Sequence, residues 1–157
     1  MPPRCLQVDL SGAAGLEALV GAEEVRTLWR LAARFREHPA QCTPGRPPPP
    51  EGAGDAQDGV QDGAASPCTP TEIFVRRYSC TTRPWVPFHC DRAACTLNVA
   101  LSNDAAHEGG RLLALLDGKA QRIERAAGEA TVHSSRLCHA VSCMGRGTRY
   151  SLICFLP

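Results

Sequence analysis

A chain of 157 residues that is 43% hydrophobic has material for one domain with a modest core. Seventeen Lys and Arg against sixteen Asp and Glu leave a formal charge of +1, which excludes electrostatic capture of nucleic acid or an anionic membrane as the organising function. No run approaches the roughly 18 apolar residues of a spanning helix. The N-terminal MPPRCLQVDLSGAAGLEALVGAEEV is interrupted by polar residues where a secretory leader needs a continuous apolar run, so an intracellular, cytoplasmic protein is expected, with no membrane or nucleic-acid partner. Nine cysteines, odd in number and without a Cys-x-x-Cys pair, read as reduced thiols rather than a disulfide framework.

Along the chain, GLEALVGAEEVRTLWRLAARFRE (15–37) places Leu28, Leu31, Ala32 and Phe35 at helical spacing, with Arg26, Arg30 and Arg34 on another face. The arginine stripe reads as a solvated face, and Pro39 ends the helix because the residue before a proline disfavours the α region. Residues 1–39 are therefore expected to be a helical segment packing on the sheet. Residues 40–70, rich in Pro, Gly, Asp and Ala, have little to bury and are expected to be a disordered linker. From Thr71 onward the character changes to short apolar runs punctuated by turns. Strands are expected near 72–78, 85–90, 95–102, 111–116, 119–125, 129–133, 138–143 and 148–156, with turns at AHEGGRLL, RAAGEA and MGRGTRY, where Gly145 and Gly147 can take positive φ. Strands of that number and spacing suggest a mainly β protein with an N-terminal helix, a double-sheet jelly roll over 71–157.

The chemistry-bearing stretch is FHCDRAACTLNVALS, 88–102. In a strand, residues two apart face the same side, so His89 and Asp91 present an imidazole and a carboxylate to one point. Two histidines and a carboxylate form the facial triad that holds Fe(II), the second histidine coming from a distant strand. SRLCHAVSCMGRGTRYSLICFLP places His139 in one expected strand and Arg149 ten residues on in the next, sharing a face with Ser151, Ile153 and Phe155. A buried arginine calls for an anion, and its planar fork suits a carboxylate. TLNVAL alternates Thr96, Asn98 and Ala100, a small polar pocket wall, against Leu97, Val99 and Leu101, a core face. His133, six residues before His139, reads as a strand residue near the site.

The segments FVRRY, PFHCD, TLNVALSND, EGGRLL, GEATVHSSRLCHAV and RGTRYSL, in that order over 74–157, resemble the catalytic domain of 2-oxoglutarate- and Fe(II)-dependent dioxygenases in the prolyl and lysyl hydroxylase branch, nearest in wording to the procollagen lysyl hydroxylases. The resemblance implies a double-stranded β-helix in which His89, Asp91 and His139 ligate Fe(II). It implies that Arg149 pairs with the distal carboxylate of 2-oxoglutarate, with Tyr78, Asn98 and Ser151 as supporting partners. It further implies dioxygen as second cosubstrate, ascorbate as reductant, and hydroxylation of a C–H bond with conversion of 2-oxoglutarate to succinate. The implied substrate is peptidyl proline or lysine, a protein or peptide, with a small molecule as the other class. RAAC after Asp91, Arg111 after the Gly109–Gly110 pair and the short segment before Phe74 depart from the family pattern and bear on the substrate more than on the fold.

Two other readings stand beside this one. Cys90 with Cys95, and Cys138 with Cys143, are two Cys-x4-Cys pairs from which a four-thiolate zinc module could be built. A jelly roll that keeps the fold as a catalytically inactive binding protein is the other.

Overall fold

The computed structural model describes residues 7–10, 12–37 and 70–157. The expected linker lies outside the described residues except for Pro70. Among the described residues no helix is long and apolar enough to cross a membrane.

The expected helix over 15–37 is two helices, α1 (Gly12–Val20) and α2 (Ala22–Glu37). Gly21 separates them with φ +97°, a left-handed conformation that a glycine adopts without steric cost. Its N–H donates to the Glu17 carbonyl at 2.9 Å and closes α1, while its own carbonyl accepts from Val25 at 3.1 Å and opens α2. Leu16, Val25, Ala32 and Phe35 are buried, and Arg26, Arg30 and Arg34 face solvent as the stripe predicts. Leu31 departs from the expected apolar face, remaining 40% exposed, because it borders an open apolar groove shared with Leu112, Ile123 and Val132 instead of packing against the sheet.

All eight expected strands form. They are β2 (Glu72–Ser79), β3 (Val86–His89), β4 (Cys95–Ala100), β6 (Leu112–Leu116), β7 (Lys119–Ile123), β8 (Ala130–Ser134), β9 (His139–Val141) and β11 (Thr148–Leu156). Three short strands join them. β1 (Gln7–Asp9) pairs with β2, and β5 (Glu108–Gly109) pairs with β10 (Met144–Arg146). Gly147 takes φ +84° in the turn into β11, whereas Gly145 lies inside β10, at the register shift in its pairing with β5, without a left-handed conformation.

The strands form a five-stranded sheet ordered β1-β2-β11-β4-β8 and a four-stranded sheet ordered β3-β9-β6-β7, antiparallel throughout. Period-two alternation sorts the larger sheet into two faces. Ile73, Leu97, Val99, Leu152, Cys154 and Leu156 form one cluster with Leu16, Val25, Ala32 and Phe35, so the main core lies between this sheet and the helices. The opposite face carries Tyr78, Thr96, Asn98, Ile153 and Phe155 toward the smaller sheet, where a second cluster joins Tyr78 to Val86, Val141 and Met144. The architecture is a double-stranded β-helix with helices packed on its outside. Its polar interior, between the sheets, is where the site is built.

Candidate active site

β3 and β9 pair so that His89 stands opposite His139, with ring centroids 4.4 Å apart. The pairing register shifts between Val86 and His89, a bulge-type irregularity. Residues three apart would otherwise face opposite sides, yet Val86 and His89 both line the same cavity. The expected strand over 85–90 is thus shorter, and Asp91 lies two residues beyond its end. What holds Asp91 is a side chain on the next strand: the Thr96 hydroxyl donates to Asp91 Oδ2 at 2.6 Å. The carboxylate faces the imidazoles through that bond and not through a pleat.

The three groups converge. Their ligand atoms lie within 4.8 Å of one another, with His89 Nε2 3.5 Å from Asp91 Oδ1 and His139 Nε2 3.6 Å from Asp91 Oδ2. His89 Nδ1 sits 2.8 Å from the Pro87 carbonyl and His139 Nδ1 3.0 Å from that of Leu137. A carbonyl only accepts, so each Nδ1 donates, which leaves each Nε2 directed toward the carboxylate. Backbone carbonyls that fix the tautomer and ring plane of histidines in this way are the usual outer partners of metal-ligating imidazoles. Two imidazoles and one carboxylate, already converged, fit a divalent first-row metal such as Fe(II).

Tyr78 and Asn98 line the same small cleft as the triad, which is open to solvent and also bordered by Arg76 and Thr96. Arg149 stands opposite Tyr78 in the β11–β2 register, and its guanidinium lies 4.7 Å from the Tyr78 ring centroid. That stacking offsets part of the burial cost by about 0.5–2 kcal/mol. Arg149 is 1% exposed, and neither terminal nitrogen has a hydrogen-bond partner in the protein. Burial holds its pKa below the ordinary arginine value. Ser151, on the same face of β11, is fully buried with its hydroxyl unpartnered as well. Asn98 is engaged in a way the sequence does not show, its Oδ1 accepting from Arg125 Nη1 at 2.8 Å.

His133 lies on β8 with its ring 4.6 Å from that of His139, outside the triad, and burial lowers its pKa so that it stays neutral. The four cysteines of the zinc reading do not assemble. Cys95 is buried in the helix-facing core, Cys90 and Cys143 are exposed, and the triad is the metal-type cluster found among the described residues. The roles of Thr96 and Arg125 escape sequence reasoning. Thr96 carries a faint signal as a polar member of the inward face of β4, but Arg125 sits in the β7–β8 connection, where no periodicity points inward.

No family model matches the sequence, and no curated protein matches it significantly. Solved structures do match. AviO1 from Streptomyces viridochromogenes is 18% identical with a TM-score of 0.59, the match covering 96% of this chain and 65% of that one. A prolyl hydroxylase from Trichoplax adhaerens, in complex with a hypoxia-inducible-factor oxygen-degradation-domain peptide fragment, is 14% identical with a TM-score of 0.57, covering 96% of this chain and 61% of that one. A prolyl 4-hydroxylase from Phytophthora capsici is 16% identical with a TM-score of 0.55, covering 96% of this chain and 46% of that one. At these identities the likeness is one of fold: the chain has the double-stranded β-helix of the prolyl hydroxylases and spans between 46% and 65% of the length of these three structures.

Proposed function

We propose that this chain is an Fe(II)- and 2-oxoglutarate-dependent dioxygenase of the prolyl hydroxylase branch, with residues 71–157 as its catalytic unit. The observation that carries the reading is the convergence of His89 Nε2, Asp91 and His139 Nε2 within 4.8 Å, each imidazole tautomer set by a backbone carbonyl. Iron held by these three side chains would supply activation of dioxygen for oxidative decarboxylation of 2-oxoglutarate to succinate and carbon dioxide, with hydroxylation of a substrate C–H bond.

The remaining roles fall to the chain's own groups. Thr96 orients Asp91 by donating to the oxygen that faces His139. Arg149 meets the distal carboxylate of 2-oxoglutarate, with Ser151 and Tyr78 beside it; the support for that assignment is its burial with both terminal nitrogens lacking a geometric hydrogen bond. Asn98 forms part of the wall. Ascorbate completes the reading as the reductant that keeps iron ferrous. The favoured substrate is a peptidyl proline or lysine. Its support is the peptide in complex with the Trichoplax fold relative, together with Trp85 and Phe88, four residues and one residue before His89 and 54% and 45% exposed, where an extended peptide could stack.

The test is anaerobic titration of the purified protein with Fe(II) and then 2-oxoglutarate, followed by visible absorption. A weak charge-transfer band that appears in the wild type and not in His139→Ala is expected. A folded wild type that gives no band, or a His139→Ala variant that gives the same band, overturns the proposal.

A further inference from the structure

The antiparallel pairing of β3 with β9 sets His89 opposite His139, so the next pair in the same register, one residue past the end of each strand, is Cys90 with Cys138. Neighbouring residues of an extended chain point to opposite sides, and both imidazoles turn into the cleft, so the two thiols lie together on the outer side. Directly opposed residues of antiparallel chains have Cα atoms about 4.5–5.5 Å apart, inside the roughly 4.4–6.8 Å span of a disulfide.

The side chains agree with the register. The Cys90 thiol donates to the Arg136 carbonyl at 3.6 Å, which holds it over the turn that carries Cys138. The Cys138 carbonyl accepts from the Leu115 N–H at 2.8 Å, which fixes the other partner against β6. Partial desolvation, and then the Cys90 thiol through its charge and a hydrogen bond, raise the Cys138 pKa above the ordinary thiol value. Cys90 is exposed and Cys138 partly so, whereas Cys95 and Cys154 are buried.

We propose that Cys90 and Cys138 are an oxidative modification site, closed by hydrogen peroxide to a disulfide that loosens the metal site. The Cys90 sulfur, the more exposed, attacks the peroxide O–O bond and gives a sulfenic acid and one water. The Cys138 sulfur then displaces the sulfenic hydroxyl, which leaves as a second water as the S–S bond forms. Both thiol protons leave in the two waters, and two electrons pass from the sulfurs to the peroxide oxygens.

Cys90 lies between His89 and Asp91, and Cys138 directly precedes His139, so the new bond joins the chain beside all three ligands. An S–S bond of about 2.0 Å is shorter than a thiol–thiol hydrogen bond, so closure draws the two segments together and takes Cys90 off the Arg136 carbonyl. Asp91 yields to that movement, since the Thr96 hydroxyl holds it and no strand does. Weaker metal binding follows. The coupling to metal rests on the proposed iron site; formation of the disulfide does not.

The test treats the reduced full chain with hydrogen peroxide in the presence of a chelator. The monomer is isolated by non-reducing electrophoresis for tandem mass spectrometry of its peptides, and Mn(II) affinity is measured on reduced, oxidised and re-reduced protein once chelator is removed. A peptide pair joining Cys90 to Cys138 and lacking two hydrogen atoms is expected, with several-fold weaker Mn(II) binding that dithiothreitol restores. Cys90→Ser and Cys138→Ser should each lose the joined pair and keep the reduced protein's Mn(II) affinity after peroxide; either variant carries the test should the other fail to melt cooperatively. Peroxide that leaves both thiols free, stops at a sulfenic or higher acid, or joins either thiol to another cysteine overturns the proposal. So does a Cys90–Cys138 disulfide protein that binds Mn(II) as the reduced form does. Reduced, folded wild type that binds no Mn(II) overturns the coupling and the dioxygenase reading together, whether or not the disulfide forms.

Discussion

Replacing Thr96 with valine removes one hydroxyl from a buried strand residue and little volume. Its bond to Asp91 Oδ2, at 2.6 Å, is a hydrogen bond to a carboxylate, a class that contributes about 1.5–3 kcal/mol. Asp91 lies outside β3, with no ladder to hold it, so the lost bond releases the carboxylate's orientation and not only its solvation. Because the interaction is made to a group that would bind metal, its loss should appear mainly as metal affinity. The expected weakening is roughly 10–100-fold, the range found when outer partners of metal ligands are removed, which at about 1.4 kcal/mol per factor of ten is about 1.4–2.8 kcal/mol and close to that interval. The assay is anaerobic competition of Fe(II), or Mn(II) as a redox-inert substitute, against a chelating dye, with melting temperature recorded on the same samples. Thr96→Ser, which restores the hydroxyl, should recover most of the affinity. A Thr96→Val protein that binds metal as tightly as wild type would show that Asp91 is positioned by something other than Thr96, and the reasoning about the broken strand would fail with it.

Arg149→Ala should raise the KM for 2-oxoglutarate by roughly thirtyfold or more, from the loss of at least about 2 kcal/mol when one partner of a buried charged pair is truncated, and an unaltered KM would remove Arg149 from the site. His89→Ala and Asp91→Ala should each abolish succinate production while keeping the cooperative melt, because these groups pack against one another rather than in the helix-facing core; normal succinate yield in either contradicts the triad. Leu97 is fully buried in that core, so Leu97→Ala should cost about 2–5 kcal/mol in denaturant unfolding, and a cost under about 1 kcal/mol would mean the helices do not pack there. Burial pushes the Cys154 thiol up to about 12 from its ordinary 9.0. The unfolded thiol therefore ionises first as pH rises, so its contribution to stability is intact below pH 9 and is lost between pH 9 and about 12. Cys154→Ala should show a shallower alkaline loss of stability than wild type over that window, and parallel curves would contradict the burial argument.

The sequence by itself determined eight of the eleven strands among the described residues, the two faces of β4 and β11, and the identity of the converging groups. Period-two alternation in TLNVAL and RYSLICFL is written in the residues, since a strand must bury one face and a polar pocket wall must occupy the other. The helix boundary was legible in part. Gly21 stood in the sequence, but whether it would continue the helix or leave it depended on which φ the packing of Leu16 and Val25 required. Tertiary structure alone decided how Asp91 meets the histidines, because a register shift in β3 and a hydrogen bond from another strand replaced the simple pleat. It alone brought Arg125 to Asn98, a contact between residues 27 apart that no local pattern encodes. Periodicity records which side of its own element a residue faces. Which element lies across from it is settled only when the sheets close, and the Arg125–Asn98 contact and the carboxylate's anchor both depend on that closure.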